Sequence, residues 1–188
     1  MAEIVGKNTR KKVIFLDRDN TINEDPGYIS LPEDVTLLPY AGDALRLLVD
    51  NGFELVVISN QSGVGRGFFK ESDAHAVNAR LNVLLSSYGV QICGFYMCFH
   101  HPDEECQCRK PNIALLDEVR AQYDFDPAHS YMIGDKESDV EFGLNAGIIA
   151  VKLIHADAKS SNKAHHNAYD LMAAARWIIN QEKFGNFC

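Results

Sequence analysis

The sequence predicts an α/β fold on a mostly parallel sheet, and two observations carry that reading. Apolar, β-favouring runs alternate with stretches of helical periodicity along most of the chain. Three of the apolar runs also end abruptly in chemistry-bearing residues. Residues 13–16 run into Asp17 and Asp19, residues 53–58 into Ser59 and Asn60, and residues 130–133 into Gly134-Asp135-Lys136. A continuous apolar run reads as a strand buried on both faces, and open α/β sheets bind ligands at their carboxyl ends. Asp17 and Asp19 alone also fit a turn after a strand, so the rest of the chain has to decide between a turn and a site.

The elements follow in order. Residues 1–11 read as a loose leader and residues 12–16 as the first strand. Residues 20–39 hold Pro26, Pro32 and Pro39 and read as a loop with a small β-flap over the strand end. Leu45, Leu48 and Val49 recur at helical spacing over 40–51, and Asn51-Gly52 is a helix stop. Residues 53–58 form the second strand, so strand, helix, strand predicts a right-handed parallel crossover. A Gly-rich loop at 64–69 carries Arg66. Apolar residues at 77, 81, 84, 85 and 88 make 71–88 an amphipathic helix. A short third strand at 94–97 leads into a Cys/His loop at 98–111. Residues 113–123 are helical with Leu115, Leu116 and Val119 inward, and 130–133 are the fourth strand. A short helix at 138–145 ends at Ala146-Gly147, and 148–154 are the fifth strand. A polar loop at 155–167 precedes the last helix, 170–181. With no linker or repeat, one domain over 1–188 is expected.

Composition narrows the classes. Hydrophobic residues at 46% and charged residues at 23% describe an ordinary globular protein. No apolar run is long enough for a bilayer, and the polar, basic N-terminus lacks an apolar signal core, so a cytoplasmic protein without membrane contact is expected. A net charge of -8 argues against nucleic acid, while a local cluster of cations can still hold an anionic substrate. A monomer is expected. Of five cysteines, Cys98, Cys106 and Cys108 cluster beside histidine, which suggests metal before disulfides. Cys93 reads as a small core residue and Cys188 as a terminal bystander.

In a parallel sheet the polar strand ends meet. Three aspartates then face a hydroxyl and Lys110, which is what phosphoryl transfer asks for: carboxylates for Mg²⁺, a carboxylate nucleophile, and donors for phosphoryl oxygens. Asp17-Arg18-Asp19-x-Thr21, Ser59-Asn60, Lys110 and Gly134-Asp135-Lys136-x-x-Asp139 resemble the four ordered motifs of the haloacid dehalogenase superfamily over residues 13–154. The resemblance implies a Rossmann-like three-layer α/β/α sandwich. It also implies roles: Asp17 attacks phosphorus, Asp19 serves as acid and then base, and Ser59 and Lys110 hold the phosphoryl oxygens. Mg²⁺ would sit between Asp17, the Asp19 carbonyl and Asp135. A raised pKa on Asp19 would help its acid role. Asp139 either orients Lys136 or caps the following helix. The family usually has Gly where this chain has Asn20, a position that needs a tight, left-handed turn, which Asn tolerates.

Cys98-Phe99-His100 and Cys106-Gln107-Cys108 form a C-x-H…C-x-C pattern suited to a closed, structural Zn²⁺ site through Cys98, His100, Cys106 and Cys108. Free thiols, a Cys106/Cys108 redox pair, or His101 in place of His100 are the other readings. The zinc loop would hold Arg109 and Lys110 over a phosphate. Continued through Arg109-Lys110-Pro111, the pattern resembles two related families, the D,D-heptose 1,7-bisphosphate phosphatases and the histidinol-phosphate phosphatases, whose members lack a large cap domain. The segments 25–28 and 60–67 look more like the heptose enzymes. That likeness implies a phosphorylated sugar, the 7-phosphate of a heptose bisphosphate, contacted by Asp25, Gly27, Tyr28, Asn60, Gln61, Ser62, Arg66, Arg109 and Lys136. Histidinol phosphate is the alternative substrate, and a phospho-ligand-binding or zinc-dependent interaction module the alternative class.

Overall fold

Six parallel strands form the middle layer of the structure, a computed structural model that describes residues 10–155 and 159–185. The strands are β1 (Lys12–Leu16), β2 (Phe53–Asn60), β3 (Gly94–Cys98), β4 (Tyr131–Gly134), β5 (Ile149–Leu153) and β6 (His166–Ala168). The helices are α1 (Ala41–Asp50), α2 (Ser62–Gly65), α3 (Glu71–Ser86), α4 (Ala114–Arg120), α5 (Glu137–Ala146) and α6 (Leu171–Phe184). Strand order is β3-β2-β1-β4-β5-β6.

Side-chain alternation along β1 explains the three layers. Ile14 and Leu16 pack with Leu45 and Leu48 of α1, Val77 and Leu81 of α3, and Ala174 and Ile178 of α6. Val13 and Phe15 pack on the other face with Leu115, Leu116 and Val119 of α4 and Phe142 of α5. Those four β1 side chains are all 0% exposed. Their burial contributes about 6–12 kcal/mol before chain entropy is counted. Asp170 caps α6 by accepting from the Ala173 N–H at 2.6 Å, and Gly147, at φ +70°, ends α5 where the sequence signals a stop.

The strand order reverses at β1, with β2 on one side and β4 on the other. Doubly wound sheets bind ligands at such a switch point. The Asp17 N–H donates to the Ile133 carbonyl at 2.9 Å, extending the β1–β4 ladder and bringing Asp17 beside the end of β4.

Several expectations change. The loop read at 155–167 contributes to a sixth strand. Its residues, His166-Asn167-Ala168, lack an apolar run and are held by pairing with Val151, Lys152 and Leu153. The Gly-rich loop expected at 64–69 gives way at its start to helix, since residues 62–65 form the short α2. Cys93 is exposed rather than in the core: its backbone is tied to Leu55 and the Tyr123 hydroxyl, and the thiol faces out. The flap of 20–39 is held by isolated bridges at Asn23 and a 3-10 turn at Pro32–Asp34, and its own Ile22, Ile29 and Val35 are buried in the core. Most of the leader and Cys188 lie outside the described residues. Among the described residues no helix is long and apolar enough to cross a membrane.

Candidate active site

The carboxyl ends of β1 and β4 gather acid. One carboxylate oxygen each of Asp17, Asp135 and Asp139 lies within 4.8 Å of the others. Like charges this close need a cation. Lys110 supplies one: its Nζ lies 2.8 Å from Asp17 Oδ1 and 2.6 Å from Asp139 Oδ1, and donates to the Ile58 carbonyl at 2.7 Å. Two of its hydrogens are donated, to Asp17 and Ile58, and Asp139 Oδ1 is held by charge, with no hydrogen-bond partner of its own. Burial works against the ammonium, but Asp139 and Asp17 outweigh it and hold the Lys110 pKa above its ordinary value. Asn60 fixes the same residue from the main chain, accepting from the Lys110 N–H at 3.0 Å and donating to its carbonyl at 3.1 Å.

Asp139 does one of the two jobs open to it. Its Oδ2 accepts from the Lys136 N–H at 2.9 Å, which caps α5. Its other oxygen faces Lys110 rather than the Lys136 side chain, a pairing the sequence reading missed. A Cβ at Gly134 would run into the Asp139 carboxylate, so glycine is required for this approach. Asp135 Oδ1 is buried with no hydrogen-bond partner. Burial first, then Asp17 and Asp139 against the favourable Lys136, push the Asp135 carboxyl up to about 6. An orphaned carboxylate oxygen beside a second carboxylate is a donor set that suits a hard divalent cation.

Asp19 sits in a different net. Arg18 grips it through Nε to Oδ1 at 2.8 Å and Nη2 to Oδ2 at 2.9 Å. Asn23 Nδ2 donates to Oδ1 at 3.1 Å and Gln61 Nε2 to Oδ2 at 2.8 Å. Burial pushes the Asp19 carboxyl up, but Arg18, Gln61 and Asn23 outweigh it and hold the group below the usual carboxylate value. The expectation of a raised Asp19 pKa is therefore corrected. Asn20 takes the left-handed turn at φ +56°, as the sequence requires. Its Oδ1 accepts from the Asp25 N–H at 3.2 Å, and its carbonyl lies 2.6 Å from His155 Nε2, a brace that no motif announces.

Seven of the nine sugar-contact candidates surround one cavity of about 180 Å³: Asp25, Gly27, Tyr28, Asn60, Gln61, Ser62 and Lys136, together with Asp19. Asp25 Oδ1 accepts from the Gly27 N–H at 2.9 Å, and Tyr28, at φ +61°, meets Phe68 edge to face at 4.9 Å. Gln61 spends its amide on Asp19, Arg18 and the Ser59 hydroxyl, which it reaches at 3.1 Å. Ser59 is buried at the floor of this net. Arg66 and Arg109 are not among the lining residues. Arg109 donates through Nη2 to the His100 carbonyl instead.

The Cys/His loop closes on itself. Cys98 Sγ lies 3.0 Å from Cys108 Sγ and 3.6 Å from both Cys106 Sγ and His100 Nδ1, and His100 Nδ1 lies 3.1 Å from Cys108 Sγ. The sulfur separations exceed a disulfide bond. They approach the edge of a tetrahedron around a metal with bonds near 2.3 Å. As bare thiols they crowd: burial, then Cys98, push Cys108 up to about 12. His101 stands outside, with its Nδ1 accepting from the Asp103 N–H at 3.2 Å. Gly65 at the end of α2 packs on this loop, and a Cβ there would collide with the His100–His101 backbone.

Comparison with known proteins agrees with this geometry. A HAD-hydrolase-like family model matches residues 107–172. The chain is 41% identical over 132 residues to a probable D-glycero-D-manno-heptose-1,7-bisphosphate 7-phosphatase of Thermoplasma volcanium, covering 70% of this chain and 90% of that one. It is 36% identical over 174 residues to the D-glycero-beta-D-manno-heptose-1,7-bisphosphate 7-phosphatase of Yersinia pestis, covering 89% of each. A solved D,D-heptose 1,7-bisphosphate phosphatase of B. bronchiseptica, complexed with magnesium and phosphate, superposes with a TM-score of 0.80 at 27% identity, covering 90% of this chain and 99% of that one. The chain belongs to the D-glycero-D-manno-heptose-1,7-bisphosphate 7-phosphatase family of haloacid dehalogenase-like hydrolases.

Proposed function

We propose that the chain hydrolyses the 7-phosphate of D-glycero-D-manno-heptose 1,7-bisphosphate through an aspartyl-phosphate on Asp17. The observation that carries this is the pairing of Asp17 with Lys110 at 2.8 Å at the end of β1, next to a cavity walled by Asp19 and Lys136. The names of the relatives supply the sugar, and they do not favour histidinol phosphate. Residues 1–188 are read as one phosphatase domain.

In the first step an Asp17 oxygen forms a bond to phosphorus. The bond from phosphorus to the sugar oxygen breaks, and its electron pair leaves with that oxygen, which takes a proton from Asp19. Asp19 is ionised at rest; the anionic phosphoryl group arriving beside it opposes Arg18 and favours proton uptake. In the second step Asp19 takes a proton from water as its oxygen attacks phosphorus. The bond from phosphorus to Asp17 breaks and phosphate leaves with the water-derived oxygen; the Asp17 carboxylate is restored, and Asp19 returns to its ionised resting form by releasing the proton it took from water to solvent. Lys110 balances the charge on Asp17, and an incoming phosphoryl oxygen can take over one of its hydrogens. Ser59 lies where it can donate to another. Lys136 is the cation on the cavity wall, so of the three expected basic contacts it is the one placed to meet the anionic substrate. Asp17, Asp135 and the Asp19 carbonyl would hold Mg²⁺, whose charge lowers the repulsion between carboxylate and phosphate. Cys98, His100, Cys106 and Cys108 would hold a structural Zn²⁺.

Phosphate release is the test, measured with heptose 1,7-bisphosphate, histidinol phosphate and other sugar phosphates in Mg²⁺. The heptose bisphosphate is expected to show the highest kcat/KM, and Asp17→Asn to remove turnover of every substrate. Preference for histidinol phosphate would overturn the substrate. Undiminished turnover in Asp17→Asn would overturn the mechanism.

A further inference from the structure

Arg18 is a buried charge to which the chemistry above gives no contact with the substrate. Its side chain is 0% exposed, among the largest fully buried side chains in the structure. A guanidinium is expensive to desolvate, and an apolar side chain could fill the same space at less cost. Its hydrogens are therefore informative. Nε and Nη2 take the two oxygens of Asp19 at 2.8 and 2.9 Å, a fork that fixes both the place and the plane of the carboxylate. Nη2 also donates to Gln61 Oε1 at 2.9 Å, and Nη1 to Asn78 Oδ1 at 3.1 Å. Asn78 lies in α3 and is itself buried, so the fork is referenced to a helix on the scaffold rather than to a loop. The Arg18 carbonyl accepts from the Ile22 N–H at 2.9 Å, which tightens the turn carrying Asp19.

We propose that Arg18, braced by Asn78 and Gln61, is a positioning residue that holds the Asp19 carboxyl at the cavity for transfer of a proton to the leaving oxygen. The proposal rests on the acid role given to Asp19 above. Arg18 is not among the residues lining the cavity; it acts through the side chains it holds, Asp19 foremost.

A general acid matters when the leaving group is a poor one. A sugar alkoxide needs a proton as it departs, whereas p-nitrophenolate leaves without one. Damage to the positioning of Asp19 therefore lowers kcat/KM for a sugar phosphate and spares that for p-nitrophenyl phosphate. The ratio kcat/KM reports only steps through phosphoryl transfer to Asp17, so later hydrolysis does not blur the comparison. A variant that merely loosened the fold would lower both substrates together.

The test uses the full chain with Mg²⁺ and compares heptose 1,7-bisphosphate with p-nitrophenyl phosphate. Arg18→Lys keeps the buried charge but not the fork. It is expected to lower kcat/KM on the sugar about 30–100-fold, within the roughly 10²–10⁴-fold span of general acid catalysis, and on the aryl ester less than about 3-fold. Asn78→Ala removes only the outer brace and is expected to show the same pattern at about 3–10-fold, which keeps the test available if Arg18→Lys folds poorly. Asp19→Asn is the reference. If it lowers both substrates equally, the acid role of Asp19 fails and this proposal with it. If Asp19→Asn discriminates between the substrates while Arg18→Lys and Asn78→Ala lower both equally or neither, the acid role stands and the positioning role of Arg18 is overturned.

Discussion

Replacing Lys110 with Met removes one buried cation from three carboxylates and leaves a side chain of similar length. Lys110 Nζ stands 2.8 Å from Asp17 and 2.6 Å from Asp139, at 1% exposure. At an effective dielectric near 20 each contact is worth roughly 6 kcal/mol before desolvation. Drying the ammonium offsets much of that, so truncating one partner of such a pair costs about 3–5 kcal/mol. The sign with pH follows from the carboxylates. Burial, opposed by Lys110, already raises Asp139 above its unfolded value, and Asp135 stands at about 6. Without Lys110 the Asp139 carboxyl rises further, and a folded carboxyl with a raised pKa stabilises below its unfolded pKa and loses that stability as pH rises. The deficit of Lys110→Met should therefore be larger at pH 8 than at pH 5. Urea unfolding followed by circular dichroism in EDTA measures it, so that no cation replaces the lost charge. Adding Asp139→Asn removes a second charge while keeping an acceptor for the Lys136 N–H, and should restore at least about 2 kcal/mol. Phosphate release should stay lost in both variants. If Lys110→Met unfolds within about 1 kcal/mol of the wild type at pH 8, or Asp139→Asn adds to its deficit, the charge argument is wrong.

Two further outcomes follow from the structure. Cys106→Ser should drop bound zinc from about one equivalent and weaken metal affinity beyond the roughly 10–100-fold typical of losing an outer partner; it should also lower kcat, since Lys110 follows the loop directly, and elemental analysis beside an activity assay checks both. His166 stacks on Trp177 with ring centroids 4.4 Å apart, and burial lowers its pKa below 6.5. Its folded pKa lies below the unfolded one, so stability should fall as pH drops below 6.5. The melting temperature of His166→Phe should change less than the wild type's between pH 7 and 5.

The fold was legible where burial wrote itself into the pattern. β1, β2, β4 and β5 are apolar runs because both faces are covered, and the polar residues at their ends marked the site. β6 escaped because a three-residue edge strand, His166-Asn167-Ala168, is specified by the ladder it joins and not by its own side chains. α2 escaped because Ser62-Gly63-Val64-Gly65 has turn chemistry and only one turn of helix. In the site, aspartates, lysine and cysteines announced themselves by spacing. Arg18 did not, because a charged residue between two aspartates reads as solvated, and only tertiary packing buries it. The pKa of Asp19 was read in the wrong direction for the same reason. The neighbouring carboxylates were visible in the sequence, while the fork of Arg18 was not. Asp139 as the partner of Lys110 joins residues far apart in the chain and had no local signal.

The contact at Gly65 bears on how such enzymes could be re-engineered. The segment that walls the cavity and the Cys/His loop touch backbone to backbone, with no side chain between them to absorb a misfit. Grafting a foreign cavity segment onto this scaffold therefore calls for moving both pieces as one cassette, or for keeping glycine at that position. The Cys/His loop and the cavity segment can therefore change only in concert, and position 65 stays closed to every side chain.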